Sequence, residues 1–527
     1  MHPPPAALLT PFAEVIRGAL VACFVVALVE AARMLRAKCR SAPARFGPWL
    51  LAVTALGFAV RFAWSPRTFL HEYFHIVETL DNLHARGLSP DGDSGPALYR
   101  VVNDLLGGEE RAMFRTNLAC STLAVPALAA LDLSLYGRPR KALLSAALLA
   151  LLPLDVRFAA SETTSVPSVL FSLLAYALTA WHLEARTTAS LAAAVASICL
   201  GANSRPGMLV LPLFVLALAL AVDHRGVAAL LRERRSLLGL AGLALGLLPA
   251  AHASLSRQQG SAWSGPPSPS YVLSHELFLD AATTPRPLVA MLAAGALWGL
   301  VRAPRPTLWA LATSQGLVVV YWSFFGSTPF IQRAQLPVMP LLLLVASGAA
   351  ELVVGLAPRV SVAPHLLAGA LAAAGLFARR GFVRELFDQQ LEWAFLRDET
   401  AALRGRARQL WAVTRVGGRN IDAFPTFLLA RHGVAAQTLD LDAALEQGQW
   451  PAPAPGTFFY QGMYCYFGFG GEPPPPGMTP RCRELRRRYA LRPLRVRTLH
   501  ARGYSGLAYA PGPYEVGFFE VVGVAAP

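Results

Sequence analysis

Five stretches of the chain hold side chains suited to acid–base work or to holding a phosphate. They are His71, Glu72, His75, Glu78 and Asp81; Asp155, Arg157 and Glu162; Asn203 and Arg205; His275 and Glu276; and Gln332, Arg333 and Gln335. A carboxylate partly withdrawn from water has its pKa raised toward the range where it can accept a proton. A guanidinium stays charged, and its fork matches phosphate oxygens. The segment His71-Glu72-Tyr73-Phe74-His75 reads H-E-x-x-H. On a helix it would set two imidazoles on one face for Zn²⁺, with Glu72 as base and Asp81 as a third ligand. Glu72 can equally serve as a base without metal. Three fixed positions in five arise readily by chance, so the motif alone leaves both chemistries open.

Each stretch adjoins a block of apolar residues. The blocks lie at about 16–34, 47–64, 114–136, 142–158, 165–183, 189–203, 207–222, 236–252, 287–303, 307–325, 336–356 and 362–379. Most approach the roughly 20 residues that cross a bilayer core. In lipid every backbone group must be satisfied within the segment, so the blocks are expected to be helices. Composition agrees: 54% of the 527 residues are hydrophobic and only 15% charged, with mean hydropathy +0.43. Soluble proteins carry about 25% charged residues. The first block contains Glu14 and Arg17 and follows no basic region, which argues against a cleaved signal peptide.

A net charge of +15 raises the question of nucleic acid. The basic residues instead fall in alternate links between blocks: Arg36, Lys38, Arg40 and Arg45; Arg138, Arg140 and Lys141; Arg186; Arg225, Arg232, Arg234 and Arg235; Arg302 and Arg305; and Arg359. If every block crosses once, the positive-inside rule places these links in the cytoplasm. No nucleic acid is expected as a partner. The chain reads as an inner-membrane protein of about twelve transmembrane helices with both termini extracytoplasmic. The five chemistry-bearing stretches then share the outer face, where costly ionisable groups mark function.

Organisation follows from the same pattern. Residues 1–46 give an extra helix and a cytoplasmic link, 47–380 the main transmembrane domain, and 381–527 a small soluble α/β periplasmic domain. Long outer loops span 65–113 and 253–286; within the first, His71–His84 and Ala97–Leu106 have helical spacing. In the tail, Thr457–Tyr466, Leu494–His500 and Tyr514–Val522 alternate like strands, whereas 383–412 and 422–432 are expected to be helical. Pro473–Pro476 falls in a loop. Cys465 and Cys482 could pair in an oxidising compartment.

The order of several motifs resembles a known group. Ser94-Gly95-Pro96-Ala97-Leu98-Tyr99 is followed by Leu106-Gly107-Gly108-Glu109, Phe114-Arg115, Leu135-Tyr136-Gly137, then Leu148–Pro153 and Ser161-Glu162; Gln332–Pro340 closes the series. Over about 47–356 this is similar to membrane glycosyltransferases of the GT-C fold, especially the protein-mannosyltransferase and aminoarabinose-transferase-like group. The resemblance implies an enzyme that takes a sugar from a polyprenyl-phosphate donor and passes it, with inversion, to an acceptor hydroxyl at the outer face. It implies Glu72 as catalytic base and Arg333, Arg205 and Arg157 as ligands of the donor phosphate. His71, His75, Glu162 and Gln332 would lie on the substrate side. Departures exist: His71-Glu72 stands where the group has an acidic pair, and Pro96-Ala97 where it has a double proline. The first leaves a divalent metal open as cofactor, with His71, His75 and Asp81 as its ligands only if the H-E-x-x-H reading holds.

Two other classes compete. A lipid or solute transporter would show related halves with broken helices and ionisable residues at midmembrane; the charged residues here gather at one face. A membrane zinc metalloprotease would bind about one metal per chain.

Overall fold

The structure, a computed structural model, describes residues 12–67, 94–106, 109–161, 163–230, 233–258, 285–325, 335–357, 359, 362–384, 394–413, 426–441, 450–466, 477–501 and 512–525. A helix covers each of the twelve apolar blocks. In chain order they are α1 (Ala13–Ser41), α2 (Phe46–Trp64), α3 (Ser94–Leu106), α4 (Glu109–Tyr136), α5 (Pro139–Ala150), α6 (Pro153–Phe158), α7 (Ser165–Ala185) and α8 (Thr188–Ala202). A 3₁₀ turn at Pro206–Val210 leads into α9 (Leu211–Leu230), α10 (Arg234–Gln258), α11 (Arg286–Arg302) and α12 (Pro304–Phe325). The series ends with α13 (Met339–Ala346), α14 (Gly348–Leu356) and α15 (Ala363–Ala378).

The chain is an integral membrane protein. Among the described residues, six segments are long and apolar enough to cross a bilayer: Glu14–Ser41, Phe46–Trp64, Arg111–Tyr136, Ser165–Ala185, Gly207–Val227 and Met339–Leu356. Two of the other apolar helices are shorter, α8 with 15 residues and α15 with 16. Block 142–158 breaks at Leu151–Leu152, because Pro153 cannot continue the ladder and pushes Leu152 into an extended conformation (ψ 117°). Inside α9, Asp223 leaves helical geometry (φ −150°, ψ 79°).

The basic links meet one another. Lys38 pairs with Glu184 at 2.7 Å, Arg186 with Asp223 at 2.8 Å, and Arg235 donates to the Arg186 carbonyl at 2.9 Å. Nearby in sequence order, Arg138 faces Glu351 at 3.7 Å and Tyr136 bonds Thr307 at 3.2 Å. Deeper in, Lys141 is fully buried; it reaches Asp132 at 2.8 Å and the Leu344 carbonyl at 2.6 Å, while Ser145 bonds both Asp132 and Ser347. A buried lysine is tolerable only when paired in this way. These contacts pin α4 and α5 to the α13–α14 junction.

The chain divides into two compact units, the first formed by Met1–Ser65 with Leu88–Val383, the second by Pro66–Gly87 with Arg384–Pro527. The second contains a five-stranded mixed sheet, built from β1 (Gln409–Ala412), β2 (Gln437–Asp440), β3 (Thr457–Gln461), β4 (Tyr489–Ala501) and β5 (Gly512–Val524) in the order β2-β1-β3-β5-β4. β1 runs parallel to β2 and β3; β5 is antiparallel to β3 and β4. The expected helix over 383–412 is corrected at its end: Gln409–Ala412 is an interior strand between β2 and β3, with Trp411 fully buried against Tyr489. A strand buried on both faces shows no alternation, which hid it. Short helices occupy Thr426–Arg431 and Pro480–Arg488. Cys465 and Cys482 form a disulfide. Pro473–Pro476 lies outside the described residues.

Candidate active site

At the end of the first unit away from the basic links, one short segment collects contacts from four directions. It runs from α6 to the start of α7, residues 153–165. Its first anchor is Asp155, which meets Arg61 of α2. Both side chains are almost completely buried, and Arg61 Nη2 donates to Asp155 Oδ2 at 2.5 Å. All five N–H groups of Arg61 are engaged: Nε with Ser121 at 2.6 Å and Asp155 at 3.0 Å, Nη1 with the Gly57 and Ala150 carbonyls, Nη2 with Asp155 and the Leu149 carbonyl. Leu149 and Ala150 end α5, so the guanidinium also caps the negative end of that helix. Gly57 permits the approach, since a Cβ there would lie 3.2 Å from Ala150 Cβ and 3.1 Å from Arg61 Nη1.

A second anchor holds the loop on either side of position 162. Asn117 of α4 donates from Nδ2 to the Ser161 carbonyl at 2.5 Å and the Thr163 carbonyl at 3.0 Å. Its Oδ1 accepts from Tyr99 of α3 at 2.9 Å. Tyr99 thereby ties the Ser94–Tyr99 stretch to the segment. Ser94, at the start of α3, is itself fixed to the end of α8: its N–H bonds the Asn203 carbonyl at 3.1 Å and its hydroxyl the Leu200 carbonyl at 2.9 Å.

The arginines expected from the sequence divide in character. Arg205 is 7% exposed and donates to the Ser165 hydroxyl, placing its head at the start of α7. Arg157 has no exposed surface; it donates to the Phe382 carbonyl, and its head lies 4.2 Å from the centre of the Phe382 ring. Stacking of this kind is a favourable guanidinium contact. Ser65, where the chain leaves α2, bonds the Val156 carbonyl at 2.6 Å. Pro285 and Pro153 share the wall of an apolar cavity of about 30 Å³, with Leu148, Leu152 and Leu371. That volume suits packing and holds no sugar.

Thus Ser65 and Pro285 reach this segment at Val156 and Pro153, and Ser94 reaches the end of α8, just before Arg205. Glu72, His71, His75, Asp81, Glu162, Gln332 and Arg333 lie outside the described residues, as do His275 and Glu276. Gln335 is described and buried. Among the described residues no group of three or more His, Cys, Asp or Glu side chains could hold a metal. Arg61, Tyr99, Asn117 and Ser121 were not anticipated. Asn117 and Ser121 are four apart on one face of α4, and that polar stripe was their signal.

Comparison with known proteins bears on this arrangement. Residues 94–251 match the family model described as dolichyl-phosphate-mannose-protein mannosyltransferase. ArnT from Cupriavidus metallidurans in the apo state is similar in structure, with TM-score 0.54 and 14% identity, covering 91% of this chain and 99% of that one. The same protein bound to undecaprenyl phosphate matches with TM-score 0.52, 14% identity and the same coverage. No curated protein sequence matches the chain. Residues 94–251 begin at Ser94 and contain Tyr99, Asn117, Asp155, Arg157, Asn203 and Arg205. The chain has a GT-C fold like that of ArnT, and the part matched by the family model contains the polar segment, with Arg61, Ser65 and Phe382 reaching it from outside that part.

Proposed function

We propose that this protein is a membrane glycosyltransferase that moves a sugar from a polyprenyl-phosphate donor to an acceptor hydroxyl at the extracytoplasmic face. The observation that carries the reading is the convergence of Tyr99, Asn117, Arg205 and the backbone around Ser161–Ser165 at one end of a GT-C bundle. Lipid-phosphate binding by a protein of this fold, ArnT with undecaprenyl phosphate, supports the donor class.

Leaving-group charge accumulates on the phosphate as the glycosidic bond breaks, and a preplaced guanidinium stabilises it. Arg205 and Arg333 take that role; Arg157 joins them only if it lets go of the Phe382 carbonyl. Glu72 removes the acceptor proton, and opposite placement of donor and acceptor gives inversion. Glu162, His71, His75 and Gln332 contact the sugar or acceptor. The basic links face the cytoplasm of a bacterial-type inner membrane, so both termini and the sheet domain at 381–527 are extracytoplasmic.

The test is transfer of label from a panel of polyprenyl-phosphate sugars by the purified protein. Glu72→Gln is expected to abolish turnover with donor binding retained, and Arg333→Ala and Arg205→Ala to weaken both. Wild-type turnover left intact by Glu72→Gln would remove the base assignment, and no transfer from any donor would remove the reading.

A further inference from the structure

Asn203 follows the last residue of α8, and two carbonyls fix its side-chain amide. Nδ2 donates to Cys199 O and to Gly246 O, each at 2.8 Å. Both amide hydrogens are used, which settles which end of the group is nitrogen. Oδ1 therefore points away from those carbonyls; it is buried and, among the described residues, accepts no hydrogen bond. The residue as a whole is 3% exposed.

Depth makes that orphan informative. With 15 residues, α8 rises about 22 Å, short of the roughly 30 Å hydrocarbon core. Its partner Gly246 lies midway along α10. Asn203 consequently sits below the outer membrane boundary, where bulk water does not reach. Buried acceptors are almost always satisfied, and one that is not calls for an explanation. Its neighbours are those of the site: Ser94 holds the Asn203 backbone carbonyl, and Arg205 stands two residues on.

We propose that Asn203 Oδ1 reads the sugar of the lipid carrier by accepting a hydrogen bond from one of its hydroxyls. An amide oxygen offers lone pairs and no hydrogen, so it takes an O–H or N–H and gains nothing from an ionised phosphate. The carbonyl and the guanidinium two residues apart would then divide the donor between them, sugar to Asn203 and phosphate to Arg205. This rests on the carrier-linked sugar being the donor.

The full-length protein is tested for binding of bare polyprenyl phosphate and of polyprenyl-phosphate hexoses and pentoses, as wild type, Asn203→Ala and Asn203→Asp. At this depth the aspartic acid is neutral, donates to one carbonyl and keeps a free oxygen. Wild type is expected to bind its preferred sugar-bearing lipid at least about tenfold more tightly than the bare carrier. Asn203→Ala loses that increment, Asn203→Asp retains it, and bare-carrier affinity stays the same in all three. The proposal is overturned if the alanine variant keeps the increment, as a merely water-filled site would allow. It is equally overturned if bare-carrier binding falls by the same factor, or if wild type prefers no sugar. Transfer is scored separately. Sugar-dependent binding without transfer from any donor refutes the glycosyltransferase reading and leaves Asn203 standing.

Discussion

Removing Asp155 strands a fully buried charge in the helical unit. Arg61 has no exposed surface, and its guanidinium cannot shed its proton. Asp155→Leu therefore leaves an uncompensated cation among α2, α4 and α5, which costs about 3–5 kcal/mol. Arg61→Leu is gentler. The Ser121 hydroxyl still donates to Asp155 at 2.6 Å, so the loss is chiefly the capping bonds to Leu149 and Ala150, about 2 kcal/mol. The double variant removes both charges and should fall near the milder single variant. The expected coupling is then about 3–5 kcal/mol, well above the additivity error of about 0.5 kcal/mol. Equilibrium unfolding in mixed micelles, followed by tryptophan fluorescence, measures all four corners of the cycle. Coupling within that error, or Arg61→Leu worse than Asp155→Leu, would refute the account of a charge pair held only by its partner.

Asn117→Ala removes three bonds that fix the 161–163 loop and Tyr99; a loss of about 3 kcal/mol in the same unfolding assay is expected, together with loss of transfer activity. Gly57→Val crowds the Arg61–Ala150 contact and should cost about 1–3 kcal/mol by overpacking, measured by thermal melting, whereas Gly242→Val, with open space around it, should cost far less. Thiol titration of the denatured chain should give four free groups before reduction and six after, since only Cys465 and Cys482 are joined. Replacing that pair by serine frees a connection of 17 residues and should lower stability of the sheet domain by about 3 kcal/mol in a melt followed by circular dichroism.

Helix placement was legible because lipid allows apolar runs few other conformations, so each block of hydropathy became a helix. What hydropathy could not reveal was where a helix stops short. Block 142–158 looked continuous until Pro153 broke it, and α8 ends well within the bilayer thickness because Asn203 and Pro206 interrupt it. Arg157 and Arg205 were singled out by charge, by their place between apolar blocks and by the resemblance, none of which distinguishes the sealed Arg157 from the site-edge Arg205. Arg61 escaped notice because it sits in the last turn of an apolar block, and its partner Asp155 lies 94 residues away. β1 was taken into a helix because its three consecutive buried residues, Leu410–Ala412, carry no period of two.

The N-terminal helix has a problem of timing. Glu30 is buried in the finished protein and accepts from Trp181 Nε1 at 3.0 Å, across 151 residues of sequence. At about 5–20 residues per second of synthesis, α1 waits roughly 8–30 s for that partner. During the wait only Arg33, one turn along at 3.2 Å, can neutralise the carboxylate within the same helix. Arg33 is therefore a temporary chaperone for Glu30 at the insertion stage, and a chain lacking it should be caught more often by membrane quality control than its final stability warrants.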